Sequence, residues 1–390
     1  MKNLIPFFIV FILLVSCGDE NTSGPNNNYL QYYIYYSLSQ QKGWRPEHSG
    51  LYRFEYPDYK DIEKINNYSI IHTTRVAKNG VIAFVIDNPV LSLNIRFEDG
   101  TIQKIILPEF SGKVVELLLF PKPEISMDGR KLCYFVKVFP INSQNEMDTF
   151  YILVIYDILN SGTELYYTNE FVFENVSSII VKHTEPLGDN LLVNADASEI
   201  HFVTKLYDLI DNKLTKIGYA VFELKNKKLK SYSEIYQNEI VLIGKIYELN
   251  TFIIKGDNKV FKYIPTQPIQ EVNIPYDNLI SFHQFDENYK NVVLWDDDGL
   301  SLYNAKNFEK IKTIIKWETL QSKFDDIYKK TTNYITISPD GKIVSFALNP
   351  KGDDQSFHLF SIKEDGTGLM KILPFTPINF PVISYGFNIE

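Results

Sequence analysis

Cysteine is almost missing from this chain of 390 residues: there are two, Cys17 and Cys133. So few cannot build a disulfide framework or a paired-cysteine zinc site, and stability has to come from a buried core. Cations are outnumbered as well, 39 Lys and Arg against 48 Asp and Glu, for a net charge of -9. A phosphate backbone needs clustered positive charge, so nucleic acid is excluded as a partner. Long apolar runs are absent apart from Leu4 to Val15, which is too short to cross a bilayer as a helix of about 20 residues. No Gly-x-Ser-x-Gly elbow, His-Glu-x-x-His pair or phosphate loop occurs, and the six histidines are scattered. No catalytic residue, metal ligand or cofactor is therefore expected. What the chain has in quantity is aromatic side chains, 26 Tyr and 27 Phe beside only 19 Gly, within a composition that is 45% hydrophobic. Such residues fit a pleated, half-buried surface, so the chain is expected to be all-β.

The N-terminus reads as an address. Lys2 supplies a positive start, the apolar run follows, and Leu14-Val15-Ser16-Cys17 resembles the bacterial lipobox at all its positions. The resemblance implies that residues 1–16 are a signal peptide and that Cys17 carries lipid. Residues 17–28 then form a polar tether without periodicity. Gly18 stands where an inner-membrane retention Asp would be, and the acidic pair Asp19-Glu20 resembles some surface-export tags. The expected location is the cell envelope, lipid-anchored, with the outer membrane favoured.

Residues 29–390 carry a repeated grammar. Asn79-Gly80 leads into Val81–Ile86, and Glu98-Asp99-Gly100-Thr101 separates two further strand patterns that end at Pro108. Asp340-Gly341 leads into Ile343–Leu348, and Glu364-Asp365-Gly366-Thr367 separates two more that end at Pro374. A third copy begins at Ser126-Met127-Asp128-Gly129, and fainter units start near Leu191, Ile240 and Leu279. Asn-Gly and Asp-Gly tolerate the positive φ of tight hairpins between short strands. A four-strand antiparallel unit cannot bury both its faces alone, and radial stacking of such units solves that problem. Pro381–Tyr385 reads as an inner strand with no successors, whereas Tyr29–Leu38, Leu51–Tyr56 and Asp61–Ile65 read as the missing outer three. Together they would close a ring.

Ser338-Pro339-Asp340-Gly341-Lys342 and Asp365-Gly366-Thr367 resemble the WD-like repeats of TolB-type propellers. The resemblance implies a β-propeller of four-stranded antiparallel blades, with the inner-strand turns all at one end of the ring. About 363 residues would give seven blades of roughly 52 each, and six or eight are also compatible with that length.

A propeller of this kind is read as a binding module for an envelope protein, peptide or glycan, with a lactonase- or lyase-like enzyme using the central channel as the alternative. Trp44, Arg45 and His48 share a polar hairpin connection in the first unit, a composition found at recognition hot spots. Asp353 and Asp354 lie in a long connection of the last unit, which ring closure would bring alongside. These five are the candidate ligand contacts. Asp296-Asp297-Asp298-Gly299 reads as turn chemistry, not a calcium loop. Cys133 reads as a buried, inert thiol. Trp317, Leu320, Phe324 and Ile327 have helical spacing within 316–330, giving a helix that either packs over the ring or receives a partner.

Overall fold

The structure, a computed structural model, describes residues 32–38, 50–56, 63–67, 69–74, 76–77, 79–88, 90–142, 149–168, 181–194, 198–208, 214–226, 228–234, 240–246, 251–256, 259–263, 270–272, 285–286, 290–327, 335–338, 340–352, 357–372 and 382–387. Over these residues the backbone forms seven separate antiparallel sheets. Sheet 1 joins Val382–Phe387 to Tyr32–Leu38, Gly50–Tyr56 and Glu63–Lys64, in that order. The two ends of the chain thus share one sheet, with register running from Tyr32 opposite Phe387 to Ser37 opposite Val382. Sheet 2 runs in chain order through Ser69–Thr73, Ile82–Asn88, Ser92–Arg96 and Ile102–Lys104. Sheet 4 spans Val181–Val193 to Lys228–Glu234, sheet 5 Ile240–Ile246 to Gln270–Val272, and sheet 7 Ile335–Ile337 to Met370–Lys371, each with four strands.

Sheets 3 and 6 depart from the expected four strands. In sheet 3, Lys113–Leu117 and Glu124–Ile125 both pair with Lys131–Pro140, which continues through Phe150–Asp157 to Gly162–Tyr167. The inner strand is split because Pro121 and Pro123 have no N–H for the ladder, so the intervening residues leave it and return. Sheet 6 has three strands, Asn291–Trp295, Gly299–Asn304 and Lys310–Lys316. Among its described residues the inner position holds only the bridge from Phe285 to Val292.

Side-chain alternation shows why these segments are apolar without interruption. Leu132, Tyr134, Val136 and Val138 point into a cluster shared with Ala83, Val85, Leu93 and Ile95 of sheet 2. Cys133 and Phe135, on the opposite face, join Ile200, Phe202 and Phe222 of sheet 4. Successive side chains of a strand face opposite sides, so a strand buried on both faces has to be apolar at every position. Sheet 2 repeats the device, with Ile82, Phe84 and Ile86 turned toward Leu51 of sheet 1. Ile253 and Val260 of sheet 5 meet Val292 and Leu294 of sheet 6, whose Val293 and Trp295 meet Val344 and Phe346 of sheet 7. The first strand of sheet 7 in turn contacts Val382–Phe387 of sheet 1. The stack is cyclic, and a cyclic stack of antiparallel sheets is the β-propeller fold.

The helix is shorter than its spacing suggested. It covers Trp317–Lys323, and Phe324 already has extended backbone at φ -137°. Trp317 stacks on Trp295 at 4.5 Å and Leu320 and Ile327 are fully buried, so its apolar face is used up by the core between sheets 6 and 7. The side this helix leaves exposed is polar, carrying Glu318, Thr319, Gln321, Ser322 and Lys323.

Antiparallel order puts two kinds of connection at two ends of the ring. Turns between first and second strands, and between third and fourth, lie at one end, here the turn end. Connections between second and third strands, and between sheets, lie at the other, here the loop end. The turn end repeats one hydrogen-bond scheme. Ser126 Oγ donates to Asp128 at 2.6 Å and accepts from Lys131 N at 3.0 Å, while Ser338 Oγ donates to Asp340 at 2.7 Å and accepts from Ile343 N at 2.9 Å. Asp99 and Asp365 each accept from the Thr N–H two residues on at 2.8 Å, around glycines with φ of +86°.

Candidate functional site

Cys17, Trp44, Arg45, His48, Asp353 and Asp354 all lie outside the described residues. The strand ends that flank their connections are described: Leu38 and Gly50 in sheet 1, Leu348 and His358 in sheet 7. By the antiparallel order of both sheets, these ends face the loop end of the ring.

At that same end, sheets 2 and 3 separate to form a groove of about 660 Å³. Its floor comes from strands whose inward residues are already buried, Leu93 and Ile105 from sheet 2 and Leu117 from sheet 3. Its walls come from the connections: Leu91, then the run Ile106 to Phe110, then Ile141. Ile106 is 79% exposed and Ile141 63%, and Val90 beside Leu91 is 64% exposed. Large aliphatic side chains gathered at one opening are unusual on a surface and mark contact sites. Lys104, Lys113 and Glu109 supply the charge, so the lining is net positive on a net-negative protein. Lys113 sits 4.3 Å over the Phe150 ring, which packs with Phe110 and Tyr167 into an aromatic wall.

Period-2 reading marks one wall of this groove without locating the connections that complete it. In Ile102 to Ile106, burial of Ile105 forces Ile102, Lys104 and Ile106 outward, and only the lysine is suited to water. Two apolar residues on the solvent side of an outermost strand were the available signal.

Elsewhere among the described residues, three histidines are buried in the sheets. His72, on the first strand of sheet 2, is buried, and its Nε2 lies 3.0 Å from the carbonyl of Pro123 in sheet 3. Burial, with Lys122 nearby, pulls its pKa down to about 3, so the imidazole is neutral and donates through Nε2. It joins two sheets and does not change its protonation state near neutrality. His201 is likewise buried, 3.4 Å from Glu199, and His358 is buried with Nε2 2.9 Å from Asp326. Burial lowers the pKa of His358, with Lys371 adding to it against the pull of Asp326. Burial and neighbouring hydrophobes push the Cys133 thiol far above its ordinary range, as expected of an inert residue.

Asp296 behaves as turn chemistry predicts. It accepts from the N–H groups of Asp298 and Gly299 at 3.0 Å, and from Tyr303 at 2.7 Å and Lys310 at 2.8 Å. Burial would raise its pKa, but these donors outweigh it and hold the carboxyl low. Among the described residues, no group of three His, Cys, Asp or Glu side chains is placed to hold a metal ion.

No protein-family model matches the chain, and no curated protein matches it in sequence. Solved structures do match in shape. A puromycin-hydrolyzing peptidase of Mycobacterium tuberculosis is similar with a TM-score of 0.51 at 10% identity, over 86% of this chain. The β-propeller domain of the Trilobed protease from Pyrococcus furiosus has a TM-score of 0.48 at 12% identity, covering 89% of this chain and 98% of that one. A TolB homologue from Agrobacterium tumefaciens has a TM-score of 0.38 at 7% identity, covering 74% and 95%. The chain spans about half the length of the peptidases it matches, 53% of the mycobacterial one and 46% of an acylaminoacyl peptidase from Pyrococcus horikoshii. At these identities the likeness concerns fold alone: this is an all-β propeller, on a fold that hosts both enzymes and binding proteins.

Proposed function

We propose that the protein is a β-propeller lipoprotein that binds an envelope protein, peptide or glycan at the bacterial cell envelope, with the outer membrane favoured. The observation that carries this reading is the groove at the loop end, where exposed aliphatic side chains and a net positive rim lie together. Seven sheets in cyclic contact support a seven-bladed ring, with the split strand of sheet 3 and the Phe285 bridge of sheet 6 holding the inner positions. Residues 1–16 are removed, Cys17 takes lipid, and residues 17–28 are the tether. Several acyl chains at about 0.8 kcal/mol per buried methylene make such anchoring stable. Trp44, Arg45, His48, Asp353 and Asp354 extend the binding surface from sheets 1 and 7, next to the groove's end of the ring.

Intact mass measurement should show a chain that begins at acylated Cys17, and Cys17→Ala should leave the membrane fraction. An unmodified thiol there would overturn the anchoring. A photo-crosslinking residue at position 141 should capture a discrete envelope partner in cells, whereas one at an exposed turn-end position such as 130 should not. Equal capture from both ends would overturn the binding role of the loop end.

A further inference from the structure

The groove between sheets 2 and 3 has a second property besides its exposed aliphatic walls. Sheet 2 ends its hydrogen-bonded ladder when Ile105 N donates to Leu93 O at 2.8 Å. Beyond it, the main-chain groups of Ile106, Leu107 and Glu109 take no partner among the described residues. Unpaired main chain along an apolar channel is what an incoming strand requires, since backbone bonds supply affinity and alternate side chains supply specificity. Pro108 lacks an N–H, so pairing beside it runs in one limited register.

We propose that this groove receives an extended peptide segment of a partner protein, with alternate apolar residues seated between Leu91, Ile106 and Ile141 and an acidic residue near Lys104. The choice of a peptide rests on the unmatched main-chain groups, which an acyl chain cannot satisfy. The acidic flank rests on charge: Lys104 and Lys113 stand against Glu109 alone in the lining, on a chain whose sum is -9. The inference deepens the binding role proposed above and depends on it.

The test selects a phage-displayed library of short random peptides on the full chain. The expected winners alternate apolar residues beside Asp or Glu. Their synthetic forms should bind about ten-fold or more weakly to Ile106→Asp and to Ile141→Asp, and about three-fold more weakly to Lys104→Glu. N-methylation of alternate peptide amides should abolish binding, the readout of main-chain pairing. Both isoleucines are largely exposed, so the variants should melt with the parent, and a melting check separates loss of binding from loss of fold. Winners that bind all variants equally would overturn the groove and leave the binding role standing. No winners at all would overturn the peptide assignment, while the binding role itself stands or falls on the crosslinking at position 141. Anionic vesicles bound by the parent but not by Ile106→Asp would give the groove to a lipid surface, and concentration-dependent dimers lost in Ile106→Asp would give it to a second copy of this chain; either result overturns the peptide assignment.

Discussion

The two ends of the interface between sheets 2 and 3 are built oppositely. At the turn end, Gly129 has φ of +69° and lies so close to Asn79 that a Cβ there would stand 1.9 Å from the Asn79 side chain. At the loop end, Gly112 has nearly the same φ, +70°, and a Cβ there would meet nothing within 4 Å. Between them the interface is sealed by His72 on Pro123 and by Gln103 donating to Tyr156 at 2.9 Å. One end is interlocked and the other is open, with exposed aliphatics and main-chain groups that take no partner among the described residues. Close contact between neighbouring turns fixes one end, whereas the loops at the other end can carry side chains to the surface without disturbing it.

The largest effect should come from breaking the ring that holds both ends. Deleting residues 379–390 removes Val382–Phe387, strips sheet 1 of its inner strand and exposes an edge. The whole domain should lose cooperative stability, seen as a lower and broader thermal transition. A truncated protein that melts like the full chain would show that the end-to-end pairing carries no stability.

Next in size is a matched pair of substitutions that isolates the turn end. Alanine at either glycine costs about 1–2 kcal/mol for the left-handed backbone alone. Gly129→Ala must also displace Asn79, which contacts the Gly129 carbonyl and accepts from Val81 N at 3.3 Å. It should therefore cost about 1–2 kcal/mol more than Gly112→Ala, measured by urea denaturation. Equal costs would mean that the two ends do not differ in rigidity.

The inner seal should show itself in acid. His72 is held neutral with a pKa of about 3, far below the ordinary 6.5. The unfolded chain takes up its proton first as pH falls, so the stabilisation is fully present above about 6.5 and is lost progressively toward pH 3. The slope should approach 1.4 kcal/mol per pH unit at most, roughly, for this one group. His72→Gln keeps an N–H for the Pro123 carbonyl and does not titrate. It should fold with stability within about 1 kcal/mol of the parent at pH 7 and lose less on acidification. His358, also lowered by burial, contributes to the acid loss of both proteins, so the difference between them reports His72.

Much of the turn end was legible because its rules are local. Asn79-Gly80, Asp128-Gly129 and Asp365-Gly366 name their own φ and hydrogen bonds. The pairing of the chain ends was legible too, because Pro381–Tyr385 lacked successors that only Tyr29–Ile65 could provide. The split inner strand of sheet 3 was signalled by Pro121 and Pro123 but not read. The helix was read too long because spacing marks a buried face without marking where extended backbone resumes, here at Phe324. The groove was missed because it belongs to no repeat. It arises where two connections from different sheets, at Leu91 and Ile141, meet a third, Ile106 to Phe110, and no local rule brings them together.

The smallest expected effect is the one that makes the comparison sharpest. Ile141 follows the long second strand of sheet 3, and its N–H donates to Gly112 O at 3.2 Å, so the backbone there is held although the side chain is 63% exposed. Ile141→Asp keeps that backbone bond and removes an exposed aliphatic side chain, so little burial is lost. Substitutions of that kind fall within about 0.5 kcal/mol. If the side chain serves the fold by closing the groove floor over Leu93 and Leu117, the variant should instead lose about 2 kcal/mol or more, as a buried aliphatic does. Urea denaturation of parent and variant at pH 7 decides between the two. An unchanged midpoint would show that the exposed isoleucine carries no stability and leave it free to contact another molecule, and a large loss would return the loop end to the same structural role as the turn end.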